Sequence, residues 1–301
     1  MTDCPSGSDA AKAAKRAPTI VDIINAKSVR RLVMLTAYDA PGARIAEAGG
    51  VDMILVGDSV AMAVLGRPDT NSMTMDEMVH HARAVSSAAR GSLVVADMPF
   101  LSYEGGPQDA LRNAGRFFRE AGIRAVKLEG GRQILPQVRA LTGAGIPVMG
   151  HLGLTPQRAA MFGGFKAQAR TAEAAHNLLR DALALQDAGC FSIVLECVPA
   201  PVAAAVTARL RVPTIGIGAG PDCDGQVLVF HDLLGLSDFH PRFAKVYADL
   251  ARIASDAVGA YARDVREGSF PAPEHAFSIP PEEWEKWQAL LRADSAADDG
   301  E

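Results

Sequence analysis

Eight short runs of apolar residues rich in valine, isoleucine and leucine recur along the chain, at positions 32–35, 53–56, 93–96, 125–128, 147–149, 192–195, 214–217 and 227–230. Between them lie stretches with the three- and four-residue periodicity of helices. Helix start signals accompany these stretches, for example Thr74-x-x-Glu77, a capping box ahead of a helix expected to run to Ala89. Strand followed by helix, eight times over, predicts a parallel sheet closed on itself, a single (β/α)8 TIM barrel of α/β class. A doubly wound open sheet has the same alternation, but it does not call for eight strands. The first run is also not followed by the G-x-G-x-x-G turn of a dinucleotide fold.

The barrel is expected over residues 19–279, with 20–26 as a short helix plugging its bottom and 241–267 as a long closing helix. Residues 1–18 mix Ser, Gly, Ala, Lys and Asp without an apolar core segment and predict a disordered tail. Asp3 and Asp9 weigh against reading that tail as an organellar transit segment. Residues 280–301 form an extension in which Trp284, Trp287, Leu290 and Leu291 make a stripe at helical spacing, read as packing, ahead of an acidic end from Asp294 to Glu301. The 301 residues are 49% hydrophobic and 22% charged. No apolar run approaches the roughly 20 residues of a membrane span, so no membrane partner is expected. A formal charge of −5 argues against a nucleic-acid partner. Cys4, Cys190, Cys197 and Cys223 form no C-x-x-C pair, so neither a disulfide framework nor a zinc site is indicated and a cytoplasmic setting fits.

In such a barrel the carboxyl ends of the strands carry the chemistry. The second run ends on Gly57-Asp58-Ser59, the third on Asp97-Met98-Pro99, the fourth on Lys127-Leu128-Glu129, the fifth on His151 and the sixth on Glu196. Side chains alternate along a strand, so Lys127 and Glu129 share one face, Asp97 that of Leu93 and Val95, and Glu196 that of Val194. Taken singly, each of these charges could be a structural ion pair. Converging together, several carboxylates with one lysine need a further positive charge, and hard oxygen ligands favour Mg²⁺. Asp58 and Asp97 suit an ion that takes one or two carboxylates and completes its shell with water and substrate oxygens. Such an ion polarises a carbonyl and stabilises the enolate formed when a neighbouring proton leaves. Glu196, among Ile193, Val194, Leu195 and Val198, is the candidate base, and Lys127 the counter-charge for a substrate carboxylate. Gly216-Ile217-Gly218-Ala219-Gly220 stands where barrels often bind phosphate, or simply permits close packing. His80 and His81 read as surface, His231-Asp232 as structural, and Gly163-Gly164-Phe165-Lys166 as a mobile lid.

Thr36-Ala37-Tyr38-Asp39, Gly57-Asp58-Ser59-Val60, Ala96-Asp97-Met98-Pro99-Phe100, Lys127-Leu128-Glu129-Gly130-Gly131, the run from Gly150 to Gln157, Leu195-Glu196-Cys197-Val198-Pro199 and the run from Ile215 to Gly220 resemble the ketopantoate hydroxymethyltransferase family, in order from about Ile20 to Phe277. The resemblance implies conversion of 3-methyl-2-oxobutanoate and 5,10-methylenetetrahydrofolate to 2-dehydropantoate, on the route to pantothenate and coenzyme A. It implies Mg²⁺ on Asp58 and Asp97, with Glu129 beside them through water. It further implies that Asp58, Ser59, Asp97 and Lys127 contact the 2-oxo acid, that Glu196 is the proton acceptor, that His151 lies near the incoming one-carbon unit, and that the chain forms a homo-oligomer, in the family a decamer. This chain departs from the family in the lid, where Ala169 precedes Arg170 in place of the common glycine. A lyase or mutase of the isocitrate lyase and phosphoenolpyruvate mutase type shares a barrel and a Gly-Asp-Ser segment. Those lyases carry a Lys-Lys-Cys-Gly-His lid that this chain lacks. A catalytically silent binding barrel is the remaining alternative, and it would have no reason to keep acid, base and metal ligands together.

Overall fold

A computed structural model describes residues 16–237 and 241–298. The expected N-terminal tail, up to residue 15, and the last three residues of the acidic end lie outside the described residues. Eight parallel strands close into one barrel in chain order: β1 (Leu32–Thr36), β2 (Met53–Val56), β3 (Leu93–Asp97), β4 (Ala125–Glu129), β5 (Val148–Gly153), β6 (Ser192–Glu196), β7 (Thr214–Ile217) and β8 (Gly225–Leu228), with β8 returning to pair with β1. The helices of this unit are α1 (Ile20–Asn25), α2 (Ala40–Ala48), α3 (Val60–Ala63), α4 (Met75–Ala88), α5 (Pro107–Ala121), α6 (Leu135–Gly143), α7 (Ala172–Asp187), α8 (Ala200–Arg209) and α9 (Phe230–Leu234). Helix α4 starts at the expected capping box, in which the Thr74 hydroxyl accepts from the Glu77 N–H at 3.2 Å and the Glu77 carboxylate accepts from the Thr74 N–H at 2.9 Å.

Strand parity divides the core as the alternation predicts. Val126 and Leu128 of β4 belong to the cluster between barrel and helices. Ala125 of β4 joins Leu93, Val95 and Val194 in a second cluster inside the barrel, sealed from below by Ile23 of α1 and by Ala26. Each such side chain taken fully out of water contributes about 1.5–3 kcal/mol if it is a Val, Leu, Ile, Met or Phe. That gain offsets the cost of burying charge at the other end of the same strands.

Three expectations are corrected. Strand β5 runs on to Gly153, so His151 lies within it and not after it. Strand β8 begins at Gly225, and Phe230 opens α9. A Cβ on Gly225 would stand 2.6 Å from the Leu32 carbonyl oxygen, so this pairing requires a residue that strand propensity disfavours. The long helix expected from Pro241 starts only at Leu250: α10 spans Leu250–Glu267, capped by Asp249, whose side chain accepts the Arg252 N–H at 3.3 Å. Upstream, the Tyr247 N–H is spent on the Leu233 carbonyl at 2.8 Å, which no helix through 241–249 allows.

The chain divides into two compact units at Ala248/Asp249, with α10 in the second. The second unit holds α10 and α11 (Pro281–Asp298). Within it the Trp284 and Trp287 rings meet at 5.1 Å. Among the described residues, no helix is long and apolar enough to cross a membrane.

Candidate active site

Parallel register brings the charged strand ends face to face. Asp97 of β3 stands beside Lys127 of β4, Glu129 of β4 beside His151 of β5, and Gly153 of β5 beside Glu196 of β6. Asp58 lies two residues past the end of β2, and its backbone N–H donates to Asp97 Oδ2 at 3.1 Å. Lys127 Nζ lies 3.0 Å from Asp97 Oδ1, 3.8 Å from Glu129 Oε1 and 3.0 Å from His151 Nδ1. His151 Nε2 is 3.1 Å from Glu196 Oε2, a close approach outside the angular range of a well-formed hydrogen bond. Six of the seven predicted residues, Asp58, Asp97, Lys127, Glu129, His151 and Glu196, are therefore linked in one chain of contacts at the barrel mouth. The seventh, Ser59, reaches the Tyr38 hydroxyl at 2.8 Å, and Tyr38 accepts in turn from Thr36 at 3.0 Å.

Burial gives these contacts their chemical weight. The side chains of Asp97, Lys127, Glu129 and His151 are each exposed by 4% or less, whereas that of Glu196 is exposed by 14%. Burial, then the charges of Asp97 and Glu129, push the Asp58 carboxyl well above the usual carboxylate range. Burial also raises Asp97 and Glu129, with Lys127 pulling both the other way. For Lys127 burial opposes the charge, but Asp97, Glu129 and Asp58 outweigh it and hold the ammonium above the ordinary lysine value. Burial and then Lys127 depress His151, so its imidazole is neutral. Nδ1 lies 3.0 Å from the Lys127 ammonium and 3.3 Å from Glu129 Oε1, while Nε2 faces Glu196; accepting from Lys127 at Nδ1 leaves the ring proton on Nε2.

Three residues of this site carry no signal in strand patterning. Gln157, after β5, donates its amide to Asp58 Oδ2 at 2.8 Å and its backbone N–H to Glu129 Oε2 at 3.0 Å. The Tyr103 hydroxyl donates to Gln157 Oε1 at 2.8 Å and accepts from the Glu129 N–H at 3.2 Å. Tyr38, besides holding Ser59, offers its carbonyl to His81 Nδ1 at 2.8 Å, so His81 is not the free surface residue its position suggested. The space beside the glycines after β7 is taken by protein: a Cβ at Gly218 would meet the Phe243 ring at 2.9 Å and one at Gly220 would meet Ala200 at 2.4 Å.

Three buried carboxylates against one ammonium leave the cluster short of positive charge, and Asp97 Oδ1 and Glu129 Oε1 make no well-formed hydrogen bond. Among the described residues, no group of three or more His, Cys, Asp or Glu side chains holds a metal ion by itself. An ion here needs oxygens from water or substrate, which is how Mg²⁺ is commonly bound.

Fold and site together define a (β/α)8 barrel whose strand ends bring buried carboxylates, a lysine and an imidazole together at one mouth. A family model described as ketopantoate hydroxymethyltransferase matches residues 17–273. A 3-methyl-2-oxobutanoate hydroxymethyltransferase of Nitratidesulfovibrio vulgaris is 64% identical over 274 residues, covering 91% of this chain and 89% of its own length. One of Oleidesulfovibrio alaskensis is 59% identical over 285 residues, covering 94% and 98%. The chain belongs to the ketopantoate hydroxymethyltransferase family and is a hydroxymethyltransferase. Among solved structures it is similar to phosphonopyruvate hydrolase (TM-score 0.56, 18% identity, 91% and 96% of the two chains). It is also similar to 2,3-dimethylmalate lyase, a member of the PEP mutase/isocitrate lyase superfamily (TM-score 0.53, 17% identity, 93% and 95%). At that identity the likeness is one of fold: the rival lyase reading shares the barrel, and the sequence relatives are transferases.

Proposed function

We propose that the cluster binds Mg²⁺ through Asp58 and Asp97, with Glu129 held to it through water, and that the enzyme transfers the one-carbon unit of 5,10-methylenetetrahydrofolate to C3 of 3-methyl-2-oxobutanoate to give 2-dehydropantoate. The substrate follows the relatives' name, and the metal reading is supported by the uncompensated carboxylates and by a structural relative, phosphonopyruvate hydrolase, described in complex with oxalate and Mg²⁺. When bound, the ion supplies electrophilic polarisation of the 2-oxo carbonyl.

This chain's own residues do the rest. Lys127 neutralises the substrate carboxylate, and Ser59, held by Tyr38, donates a hydrogen bond to the 2-oxo acid. Glu196, the least buried acid of the set and so the one the substrate can reach, accepts the C3 proton. The electron pair left on C3 forms the new bond to the one-carbon unit, both carbon–nitrogen bonds that hold that carbon to the folate break, water supplies the hydroxyl, and the proton from C3 and the second proton of water end on the two folate nitrogens. His151, neutral with its Nε2–H toward Glu196, stabilises that carboxylate without taking its proton. Family membership also supports a homo-oligomer, a decamer in the family, and a cytoplasmic setting.

The observation that carries this reading is the base at the open edge of a buried acidic cluster. Exchange of the C3 proton of 3-methyl-2-oxobutanoate with deuterated water, followed by NMR with Mg²⁺ and no folate, isolates the first step. Glu196→Gln keeps size and shape, so it should retain the ligands and lose exchange by a factor of about 10² to 10⁴. Exchange at the wild-type rate would place the base elsewhere, with His151 next.

A further inference from the structure

Gln157 stands at the start of the 3-10 turn Pro156–Phe162 that follows β5, and it is 3% exposed. All its polar groups facing the barrel are spent. Its side-chain nitrogen donates to Asp58 Oδ2 at 2.8 Å and to the Met98 carbonyl at 2.9 Å, its side-chain oxygen accepts from Tyr103 at 2.8 Å, and its backbone N–H donates to Glu129 Oε2 at 3.0 Å. A flipped Gln157 would set its oxygen against two acceptors, the Met98 carbonyl and the Asp58 carboxylate, which fixes the orientation of the amide.

The consequence lies in which oxygens are left. Asp58 and Glu129 each have one oxygen held by Gln157, and Asp97 has Oδ2 held by the Asp58 N–H. Among the carboxylate oxygens of this cluster, Asp97 Oδ1, ion-paired with Lys127 at 3.0 Å, and Glu129 Oε1 are buried without a well-formed hydrogen bond. Carboxylates this buried, repelling one another, would otherwise turn away or take up protons. We propose that Gln157 is the positioning residue that fixes which oxygens of Asp58 and Glu129 face the divalent cation, so that one residue sets two of the three carboxylates. This rests on the metal reading above. Gln157 does not touch the reacting atoms; it acts through the carboxylates it holds, in the way outer partners of metal ligands commonly do.

The test is Mn²⁺ binding to the substrate-free protein, read by calorimetry and by the electron paramagnetic resonance of free Mn²⁺, well below each variant's unfolding temperature. Gln157→Met keeps length and the backbone bond to Glu129 but removes the side-chain bonds. It should lower Mn²⁺ affinity by about 10- to 100-fold. Gln157→Asn, too short to span Asp58 and Tyr103, should show the same loss and serves if the methionine variant does not fold. Tyr103→Phe removes a buried hydroxyl and destabilises the fold but leaves the Gln157 donors in place, so its loss of Mn²⁺ affinity should be the smaller. A folded Gln157 variant with wild-type affinity overturns the inference alone, as does a Tyr103→Phe loss equal to that of Gln157→Met. A wild-type protein that takes up no Mn²⁺ overturns the metal reading and this inference with it.

Discussion

Lys127 is the one cation among the four side chains Asp58, Asp97, Lys127 and Glu129, and its Nζ touches Asp97 and His151 at 3.0 Å each. Removing one member of a buried ion pair is costly because the other is left charged and unsolvated, about 3–5 kcal/mol in typical cases. Lys127→Met should therefore destabilise the metal-free protein by an amount of that order, and less once protons neutralise the carboxylates. On the proposed role of Lys127, it should also weaken binding of 3-methyl-2-oxobutanoate, since the substrate carboxylate would lose its counter-charge. Urea unfolding in chelator and calorimetric titration with the 2-oxo acid measure the two effects. If the loss fell on folate affinity with 2-oxo acid binding intact, the carboxylate pocket would be misplaced.

The ends of β5 and β6 decide where Glu196, the proposed base, sits. The Leu154 N–H donates to the Glu196 carbonyl at 2.8 Å across the top of this pair. That approach is possible because Gly153, at φ 92°, has no Cβ; an added one would stand 2.2 Å from the Glu196 oxygen. On the far side of Glu196, Cys197 is itself in the left-handed region at φ 50°, with its N–H on the Ile217 carbonyl at 2.9 Å. Overpacking a tight site typically costs about 1–3 kcal/mol. Gly153→Ala should lower stability by at least that much and, by displacing Glu196, depress C3 exchange beyond what the stability loss explains. Chemical unfolding and the exchange measurement check the two halves. A variant that loses stability and exchanges normally would show that this contact shapes the strand end and not the base.

Over the whole molecule, the buried carboxylates tie stability to pH and, on the proposed metal reading, to Mg²⁺. The folded-state pKa values of Asp58, Asp97 and Glu129 lie above their ordinary values of 3.8, 3.8 and 4.5. Their stabilising contribution in metal-free protein is then fully present below those ordinary values and is lost as pH rises through the raised ones. His151 pulls the other way: with its pKa held below 6.5, it resists the proton that the unfolded chain accepts, so it costs stability as pH falls through that value. The metal increment separates the two. Carboxylates must be ionised to bind a cation, so the rise in unfolding temperature produced by saturating Mg²⁺ should be larger at about pH 8 than at about pH 5. An increment independent of pH between these points would contradict a carboxylate site.

Local pattern settled much of this protein. The spacing of apolar runs fixes eight strands, and parity along β4 puts Val126 and Leu128 outward and Lys127 and Glu129 inward, because alternation is a property of the extended backbone itself. The capping box at Thr74 and Glu77 is equally local. The barrel rule then points Asp58, Asp97, Glu129, His151 and Glu196 toward one mouth. What local pattern does not carry is pairing between distant positions: Gln157 meets Asp58 across 99 residues and Tyr103 across 54, and no periodicity marks either contact. For the same reason Gly225 in β8, which sits close against Leu32, scores poorly as a strand residue, and 241–249 looks helical until Tyr247 is seen bonded to Leu233. Composition and periodicity determined which groups share the site; tertiary packing decided which oxygen, nitrogen and proton each one presents, because hydrogen bonds are directional and hydrophobic patterning is not.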